Sequence, residues 1–327
     1  MRGASQSREA GIEILVCCYL RKLLRKIWLA FLLFVVYDFS AMEKLIFFNG
    51  KFYPERSRLI SVLDRGLCFG DGLFEVIRCI DGKFLLFSKH IQRMQGSAEF
   101  LEIKFTYDTK TLLDIARKLS GENGITNGEL YIEITRGEAP RYHPYPKNTN
   151  PNFFMVLNPL RQMPEGCWDK GVKVITQPDI RWGYCHLKSI NLLPNVLAKE
   201  KAKRACAYEA FLTRKDNVGD YLTECTSSSI FVVKKDVLYT PELDNILPGT
   251  TRAAVIEIAE SLGILVKEKK VYLEECLEAL EVFLTSTVSE VMPVVKIDAN
   301  VISNGKPGIL AVKIHSEYRN FIKEHLE

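Results

Sequence analysis

The sequence predicts an α+β protein with two domains, and three observations support this fold class. The chain has 327 residues, which is enough for about two domains of ordinary size. With 47% hydrophobic and 26% charged residues, its composition is that of a folded protein and excludes collagen-like and wholly disordered chains. Strand and helix patterns are mixed without the regular alternation of a doubly wound sheet, which favours α+β.

The first strands form two predicted hairpins. Asn49-Gly50 separates LIFF from KFYP, and Asp81-Gly82 separates LFEVIRC from KFLLF. Both dipeptides accept the positive φ angles of a type I′ turn. The later elements follow from hydrophobic periodicity. Helices are predicted at 89–101, 109–119, 194–205, 251–262 and 309–324, and strands at 129–136, 153–157, 172–176, 209–213, 229–235 and 282–287.

The stretch 158–172 lacks a clear period and is the candidate linker between domains. We therefore expect a small N-terminal domain over 42–162 and a larger domain over 163–327. Residues 1–41 are treated as a separate N-terminal extension and are left out of the fold prediction.

The extension has a basic cluster, Arg21 to Lys26, followed by the apolar run 27–37. This run is too short to cross a bilayer comfortably, but the pattern is that of a secretory signal or a peripheral anchor. The other interpretation is that translation begins at Met42, because a well-formed strand and turn follow at once.

Charge and cysteine usage exclude several function classes. The formal net charge is +4, and residues 1–41 supply three of these charges, so we expect no nucleic-acid partner. Because the apolar run 27–37 is too short to span a bilayer, we expect no membrane partner either. Nine cysteines without a C-x-x-C pair indicate neither a disulfide framework nor a zinc site, and they favour a reducing, cytoplasmic compartment. The motifs of P-loop enzymes, serine hydrolases and zinc proteases are missing, and we expect no metal.

Four segments carry candidate chemistry. Lys188 lies between apolar stretches, where desolvation would favour the neutral, nucleophilic amine. Glu224 precedes four hydroxyl residues and a buried-type strand. PGTTR (248–252) opens a helix whose free N–H groups favour an anion such as phosphate, and TSTVSE (285–290) is a second hydroxyl-rich turn. An amine, a carboxylate and phosphate-accepting turns together are what pyridoxal phosphate requires.

These segments, in this order, resemble the class IV (fold type IV) pyridoxal-phosphate aminotransferases, and within them the D-amino-acid enzymes. The resemblance rests on HLKSINLLPNVLAKEKAKRACAYEAFL, YLTECTSSSIF, LPGTTRAAV and FLTSTVSEVMPV, preceded by FFNGKFYP, DRGLCFGDGLFEVIR and HIQRM. It begins near Met42 and runs almost to the C-terminus. It implies a small N-terminal α/β domain and a larger, barrel-like domain that binds the cofactor.

The resemblance also implies roles for individual residues. Lys188 would hold the cofactor as an internal aldimine and later move the proton at the substrate Cα. Glu224 would pair with the pyridinium nitrogen and keep it protonated. Arg93, in HIQRM, would bind the cofactor phosphate. The phosphate cup would be completed by Thr250, Thr251, Ser286 and Thr287.

Substrate residues are implied in the same way. Arg141 and His143, in PRYHPYP, resemble the carboxylate-binding pair of D-amino-acid enzymes, which reaches into the neighbouring subunit's site. This implies a homodimer. Phe74 stands where those enzymes have tyrosine, which removes one hydroxyl donor. Arg78 matches a position at which branched-chain aminotransferases have an arginine that helps admit the side-chain carboxylate of glutamate.

The expected activity is transamination between D-alanine, or a related D-amino acid, and a 2-oxo acid such as 2-oxoglutarate. Two other enzymes of the family remain open: a branched-chain L-amino-acid aminotransferase, favoured by Phe74 and Arg78, and aminodeoxychorismate lyase, which shares the GDG turn and a T-E-C stretch. Outside enzymology, a membrane-tethered binding module on an inactive scaffold is the remaining interpretation.

Overall fold

The computed structural model describes residues 43–327, so the predictions made for residues 1–41 lie outside the described part of the chain. Between residues 43 and 327, no helix is both long and apolar enough to cross a membrane. Two β-sheets organise this region. The first is built from residues 45–159 and the second from residues 172–301.

The first sheet begins with the two predicted hairpins. β1 (Leu45–Phe48) pairs with β2 (Lys51–Pro54), and β3 (Gly72–Ile80) pairs with β4 (Lys83–Phe84), both antiparallel. All four turn residues, 49–50 and 81–82, have positive φ angles, as a type I′ turn requires. Both predicted hairpins are confirmed.

β5 (Gly128–Thr135) and β6 (Asn152–Pro159) complete this sheet in the order β2-β1-β6-β5-β3-β4, with every pair antiparallel. Two amphipathic helices, α2 (Phe87–Phe100) and α3 (Thr109–Asn123), pack on one face. Because side chains alternate along a strand, one face of β3 and β5 enters the apolar core under these helices. The other face of β3 presents Phe74 and Val76 to a cavity.

The second sheet is mixed and has ten strands. Its strands are β7 (Val172–Pro178), β8 (Glu209–Lys215), β9 (Asp220–Cys225), β10 (Ser229–Lys234), β11 (Val237–Thr240), β12 (Leu265–Glu268), β13 (Val271–Tyr272), β14 (Glu281–Ser286), β15 (Glu290–Ile297) and β16 (Asn300–Val301). Their order in the sheet is β12-β11-β10-β14-β15-β7-β8-β9-β13, with β16 on β15, and the parallel pairs are β11–β12, β15–β7 and β7–β8. β9 also contacts β10, so the sheet curls back on itself.

The remaining helices are α1 (Arg65–Phe69), α4 (Cys167–Lys170), α5 (Leu193–Arg204), α6 (Thr250–Ser261), α7 (Leu273–Leu277) and α8 (Ile309–Glu324). α6 and α8 pack together over β14 and close a second apolar core. The α+β prediction with a barrel-like second half is confirmed, since a helix-covered antiparallel sheet is followed by a curled mixed sheet. The domain boundary at residue 162 falls between the two sheets, and the division into two domains stays a prediction.

Nine elements were not predicted: the short helices α1, α4 and α7 and the strands β9, β11, β12, β13, β15 and β16. The predicted linker 158–172 also contains the short helix α4. α1 has only five residues and depends on the Asp64 carboxylate, which accepts hydrogen bonds from the N–H groups of Gly66 (2.7 Å) and Leu67 (3.4 Å). β9 carries buried polar side chains, so its sequence lacks the alternation typical of a strand.

Candidate active site

A cavity of about 550 Å³ lies where the two sheets face each other. Its walls come from β3, α2, the segment before α5, the β9–β10 turn, the start of α6 and the β14–β15 turn. Eight of the residues selected from the sequence line it. They are Phe74, Arg93, Lys188, Glu224, Thr250, Thr251, Ser286 and Thr287.

Lys188 is held against β3 by backbone hydrogen bonds on both sides. The N–H of Phe74 donates to the Lys188 carbonyl oxygen (2.9 Å), and the N–H of Ile190 donates to the carbonyl oxygen of Gly72 (3.1 Å). The Lys188 ammonium lies 4.4 Å from the centre of the Phe74 ring, within cation–π distance. The backbone therefore fixes where this amine enters the cavity.

The environment of Lys188 favours its neutral form. Burial, and after it the nearby Arg93 guanidinium, lower the pKa of the Lys188 amine, and Glu75 and Glu224 oppose them; the result is a shift from 10.5 to about 8. A neutral amine is the form that attacks a carbonyl carbon. The side chain is thus prepared for covalent chemistry near neutral pH.

One end of the cavity is organised by a buried carboxylate that the sequence analysis missed. Glu75 is fully buried, and its two oxygens accept hydrogen bonds from Nε and Nη2 of Arg93, each at 2.7 Å. Nδ1 of His90 lies 2.7 Å from Glu75 Oε2. Together, Arg93 and His90 hold the pKa of Glu75 well below its usual range, despite burial. The carboxylate fixes the guanidinium at the cavity wall.

His90 links this carboxylate to the start of α6. Its Nε2 lies 3.2 Å from Oγ1 of Thr250. Burial lowers the pKa of His90, so the ring is neutral. Nδ1 must carry the ring hydrogen, because the Glu75 carboxylate can accept a hydrogen bond but cannot donate one. Nε2 is then an acceptor, and the hydroxyl of Thr250 donates to it. The signal in the sequence was the i, i+3 spacing of His90 and Arg93, which places both on one helix face.

At the other end, Glu224 is paired with Arg181. Glu224 is 5% exposed; its Oε2 lies 2.5 Å from Nη1 of Arg181, and its Oε1 accepts a hydrogen bond from the Leu247 N–H (3.2 Å). Burial raises the pKa of Glu224, and the Arg181 guanidinium opposes this shift. The ion pair therefore keeps a carboxylate in a place where burial alone would favour the protonated acid.

Arg181 is itself held by Asp179. The two side chains form a bidentate pair, with Nε–Oδ1 at 2.9 Å and Nη2–Oδ2 at 3.0 Å. Arg214 and the Thr223 hydroxyl also contact Asp179 Oδ2, at 3.0 and 2.9 Å. The sequence analysis missed this network because Asp179 and Arg181, in QPDIRWG, meet Thr223 and Glu224 only when β9 pairs with β8 in the folded sheet.

Hydroxyl groups cluster around the turns at the cavity. Thr250 and Thr251 stand in the first turn of α6, whose N-cap, Gly249, has no side chain to occupy the free N–H groups. Ser286 Oγ accepts a hydrogen bond from the Ser289 N–H (3.0 Å). Within residues 43–327, the buried hydroxyls of Ser228 and Thr285 have no hydrogen-bond partner, and both residues line the cavity. Such groups are rarely left unsatisfied, which indicates that the cavity accommodates a polar ligand.

Three other predicted residues lie away from this cavity. The Arg78 guanidinium donates to the backbone carbonyls of Cys79 (2.7 Å) and Gly128 (3.0 Å). Arg141 and His143 lie beside the ring of Phe69, 5.2 and 5.3 Å from its centre. None of the three lines the cavity.

Residues 72–297 match the family model described as amino-transferase class IV. The chain belongs to the class IV aminotransferase family. The match spans the cavity from β3 to β15, so the amine, the arginine and the carboxylate described above all lie inside it. This confirms the predicted family and the predicted enzyme class, a pyridoxal-phosphate-dependent aminotransferase.

Individual relatives agree with this assignment. The class IV aminotransferase described here is 39% identical to the D-alanine aminotransferase of Staphylococcus epidermidis over 281 residues, which cover 86% of this chain and 98% of that protein. Its fold is similar to the T.th. branched-chain amino acid aminotransferase with pyridoxamine 5'-phosphate (TM-score 0.78, 26% identity, 88% of this chain and 99% of the other). The Escherichia coli branched-chain amino acid aminotransferase shares the fold with a TM-score of 0.79 at 24% identity, covering 87% and 96% of the two chains.

Proposed function

We propose that this class IV aminotransferase binds pyridoxal 5'-phosphate and exchanges the amino group between a D-amino acid, D-alanine foremost, and a 2-oxo acid such as 2-oxoglutarate. The observation that carries the proposal is the Lys188 amine, which has a lowered pKa and lies in a cavity with Arg93 at one end and Glu224 at the other. The 39% identity to a D-alanine aminotransferase along nearly its whole length supports the choice of substrate.

The cavity fits this cofactor at both ends. Arg93 and the free N–H groups at the start of α6 would hold the phosphate, together with Ser286 and Thr287. Thr250 would contribute its backbone N–H, because its hydroxyl hydrogen is directed to His90. The unsatisfied hydroxyls of Ser228 and Thr285 offer further partners. When bound, pyridoxal phosphate supplies an electron sink for the charge that develops at the substrate Cα.

Glu224 would face the positively charged ring nitrogen of the cofactor. Its pairing with Arg181 keeps it ionised, and an ionised carboxylate stabilises a protonated ring nitrogen. In this arrangement Glu224 would meet the positive charge of the cofactor, and Arg93 would meet its negative charge.

Lys188 would act twice. Its Nζ would anchor the cofactor in the resting enzyme, and when it is released as a neutral amine it would accept the proton from the substrate Cα as a general base. A pKa of about 8 serves both roles, because a useful fraction of the amine is neutral and the protonated form is still accessible.

Arg141 and His143 would bind the substrate's α-carboxylate in the cavity of a partner subunit. A guanidinium can hold a carboxylate with two parallel hydrogen bonds, and the imidazole can add a third donor. Both residues are solvent-exposed in the loop 137–151, which is consistent with a role outside their own subunit's cavity. This makes a homodimer part of the proposal. The free thiols of the seven described cysteines support a cytoplasmic, reducing environment.

A branched-chain L-amino-acid aminotransferase is the second candidate, because Phe74 beside Lys188 lacks the tyrosine hydroxyl of the D-amino-acid enzymes. The test measures turnover of D-alanine and of L-leucine, each with 2-oxoglutarate as acceptor. Turnover of D-alanine is expected; turnover of L-leucine alone would reject the D-specific proposal. Pyruvate formed from aminodeoxychorismate without any amino acceptor would indicate a lyase instead.

The role of Lys188 is tested by Lys188→Ala. The variant is expected to lose transamination and to yield no cofactor-modified peptide after borohydride reduction and mass spectrometry. An undiminished signal on another lysine would mean that Lys188 is not the anchor.

A further inference from the structure

A cluster of three charged residues, two of them buried arginines, lies beneath the proline-rich loop 137–151. Asp71 Oδ2 accepts hydrogen bonds from Nε of Arg65 and from Nε of Arg136, each at 2.8 Å. Both arginines are nearly buried, at 3% and 4% exposure. One carboxylate therefore holds two guanidinium groups and leaves their remaining N–H groups free to bind elsewhere.

Arg65 uses those groups to hold the loop backbone. Its Nη1 donates to the carbonyl oxygen of Tyr142 (2.6 Å), and its Nη2 donates to the carbonyl oxygen of His143 (3.0 Å). The Arg65 guanidinium also lies 4.8 Å from the centre of the Phe69 ring, the same ring against which His143 packs. One side chain thus fixes two consecutive peptide groups and one side of the ring that supports the loop.

Arg136 holds a second point of the loop. Its guanidinium carbon lies 3.5 Å from the centre of the Tyr145 ring, a short stacking contact. Its Nη1 and Nη2 donate to the carbonyl oxygens of Glu102 (3.2 Å) and Leu101 (2.7 Å), just after α2. The loop is thereby fastened to the end of a helix as well as to the cluster.

We propose that Arg65, Asp71 and Arg136 are positioning residues that hold Arg141 and His143 ready for the substrate's α-carboxylate. This rests on the proposed function, in which these two loop residues serve the partner's cavity. The loop itself has almost no regular backbone pairing between residues 139 and 151. Without the cluster, each binding event would have to order the loop, and that conformational entropy would weaken substrate binding.

The cluster predicts a carboxylate-specific defect. In Arg65→Lys the charge on Asp71 stays paired, but a single ammonium cannot donate to both loop carbonyls in the fork geometry. We expect KM for D-alanine to rise about 10- to 100-fold, the range that a small misplacement of a binding group produces, with kcat within about twofold of wild type. Asp71→Asn, which loosens both arginines, is expected to behave in the same way.

A substrate without a carboxylate separates positioning from folding. The first half-reaction with ethylamine, followed in a single turnover by the change in cofactor absorbance, does not use Arg141 or His143. It should run at the wild-type rate in Arg65→Lys. Arg204→Lys serves as the matched control, because Arg204 pairs with Glu200 on the surface and does not touch the loop. Equal loss with D-alanine and ethylamine, or an unchanged KM for D-alanine, would overturn the proposal.

Mixed dimers test where the cluster acts. In a dimer of Lys188→Ala and Arg65→Lys chains, the intact Lys188 receives an unmodified loop, so KM should be normal. When both substitutions are on one chain and the other is wild type, KM should rise. Arg141→Ala distinguishes a failure of the proposed function from a failure of this proposal. If KM for D-alanine is unchanged in Arg141→Ala, Arg141 does not bind the substrate carboxylate. If KM rises in Arg141→Ala but is unchanged in Arg65→Lys, only the positioning role of the cluster is refuted.

Discussion

The lowered pKa of Lys188 can be tested directly, without substrate or bound cofactor. We expect reductive methylation of this amine, with formaldehyde and cyanoborohydride on the cofactor-free protein, to depend on pH in its own way. The attacking form is the neutral amine. Because the pKa of Lys188 lies at about 8, its labelling rate should rise with pH and level off above that value, whereas an ordinary lysine keeps gaining rate beyond pH 10.

The size of the effect follows from the shift. At pH 7 an amine with a pKa of 10.5 is neutral in about 0.03% of molecules, and one with a pKa of about 8 is neutral in about 9%. The neutral fraction at Lys188 is therefore larger on the order of 300-fold. Restricted access to the cavity reduces the absolute rate, but it leaves the pH at which the rate levels off unchanged.

Mass spectrometry of labelled peptides gives the rate at each lysine, and Lys110 provides an internal control. Lys110 is fully exposed, and its hydrogen bond with Asp114 raises its pKa, so its labelling should keep rising through the whole range. In Arg93→Gln, a nearby positive charge is removed, so the labelling rate of Lys188 should level off at a higher pH. Parallel pH profiles for Lys188 and Lys110 would refute the reasoning.

Three further predictions concern the residues around this amine and the loop. Arg181→Met removes the cation beside the buried Glu224 carboxylate, so the pKa of Glu224 should rise and the acid form should predominate at pH 7. We expect kcat at pH 7 to fall by about 100-fold or more and to recover partly as pH rises and Glu224 ionises. A kcat–pH profile that matches wild type would contradict this. Phe74→Tyr should lower KM for D-alanine by about three- to tenfold if the added hydroxyl reaches the carboxylate, and an unchanged KM in steady-state assays would show that it does not. Gly137→Ala should lower the thermal unfolding midpoint by several degrees, because φ is +92° and a Cβ would meet a backbone carbonyl oxygen; Gly96→Ala, in open space on α2, is the control and should not lower it.

Local chemistry made part of the fold predictable. The hairpins followed from Asn-Gly and Asp-Gly, since few residues tolerate two consecutive positive φ angles. The helix near the C-terminus was predicted with the observed bounds, 309–324, because its apolar period is strong and unbroken. Each of these patterns depends only on residues that are close together in the sequence, so it can be recognised without knowing any tertiary contact.

Two of the missed features, β9 and the role of Glu75, depend on contacts between distant parts of the chain. β9 became a strand with a buried Thr223 and Glu224 because Asp179 and Arg181, more than forty residues earlier, satisfy these side chains. Glu75 looked like one acidic residue in an apolar strand until α2 placed Arg93 against it. Motifs could identify Lys188 and Glu224. They could not identify the residues that position these side chains, because those contacts are between residues far apart in the sequence.

The charges around the cavity also determine how a ligand would lie in it. Arg93 and the N-terminus of α6 make one end positive, and Glu224 makes the other end negative. The proposed cofactor has a phosphate at one end and a protonated ring nitrogen at the other. The reverse orientation would bring like charges together at both ends, which would cost several kcal/mol of binding free energy. The same charges act on Lys188: Arg93 lowers its pKa and Glu224 raises it. A loss of activity in an Arg93 variant therefore has two sources, phosphate binding and amine reactivity. Comparing pyridoxal with pyridoxal phosphate in that variant separates them, because the first lacks the phosphate but still reports on the amine.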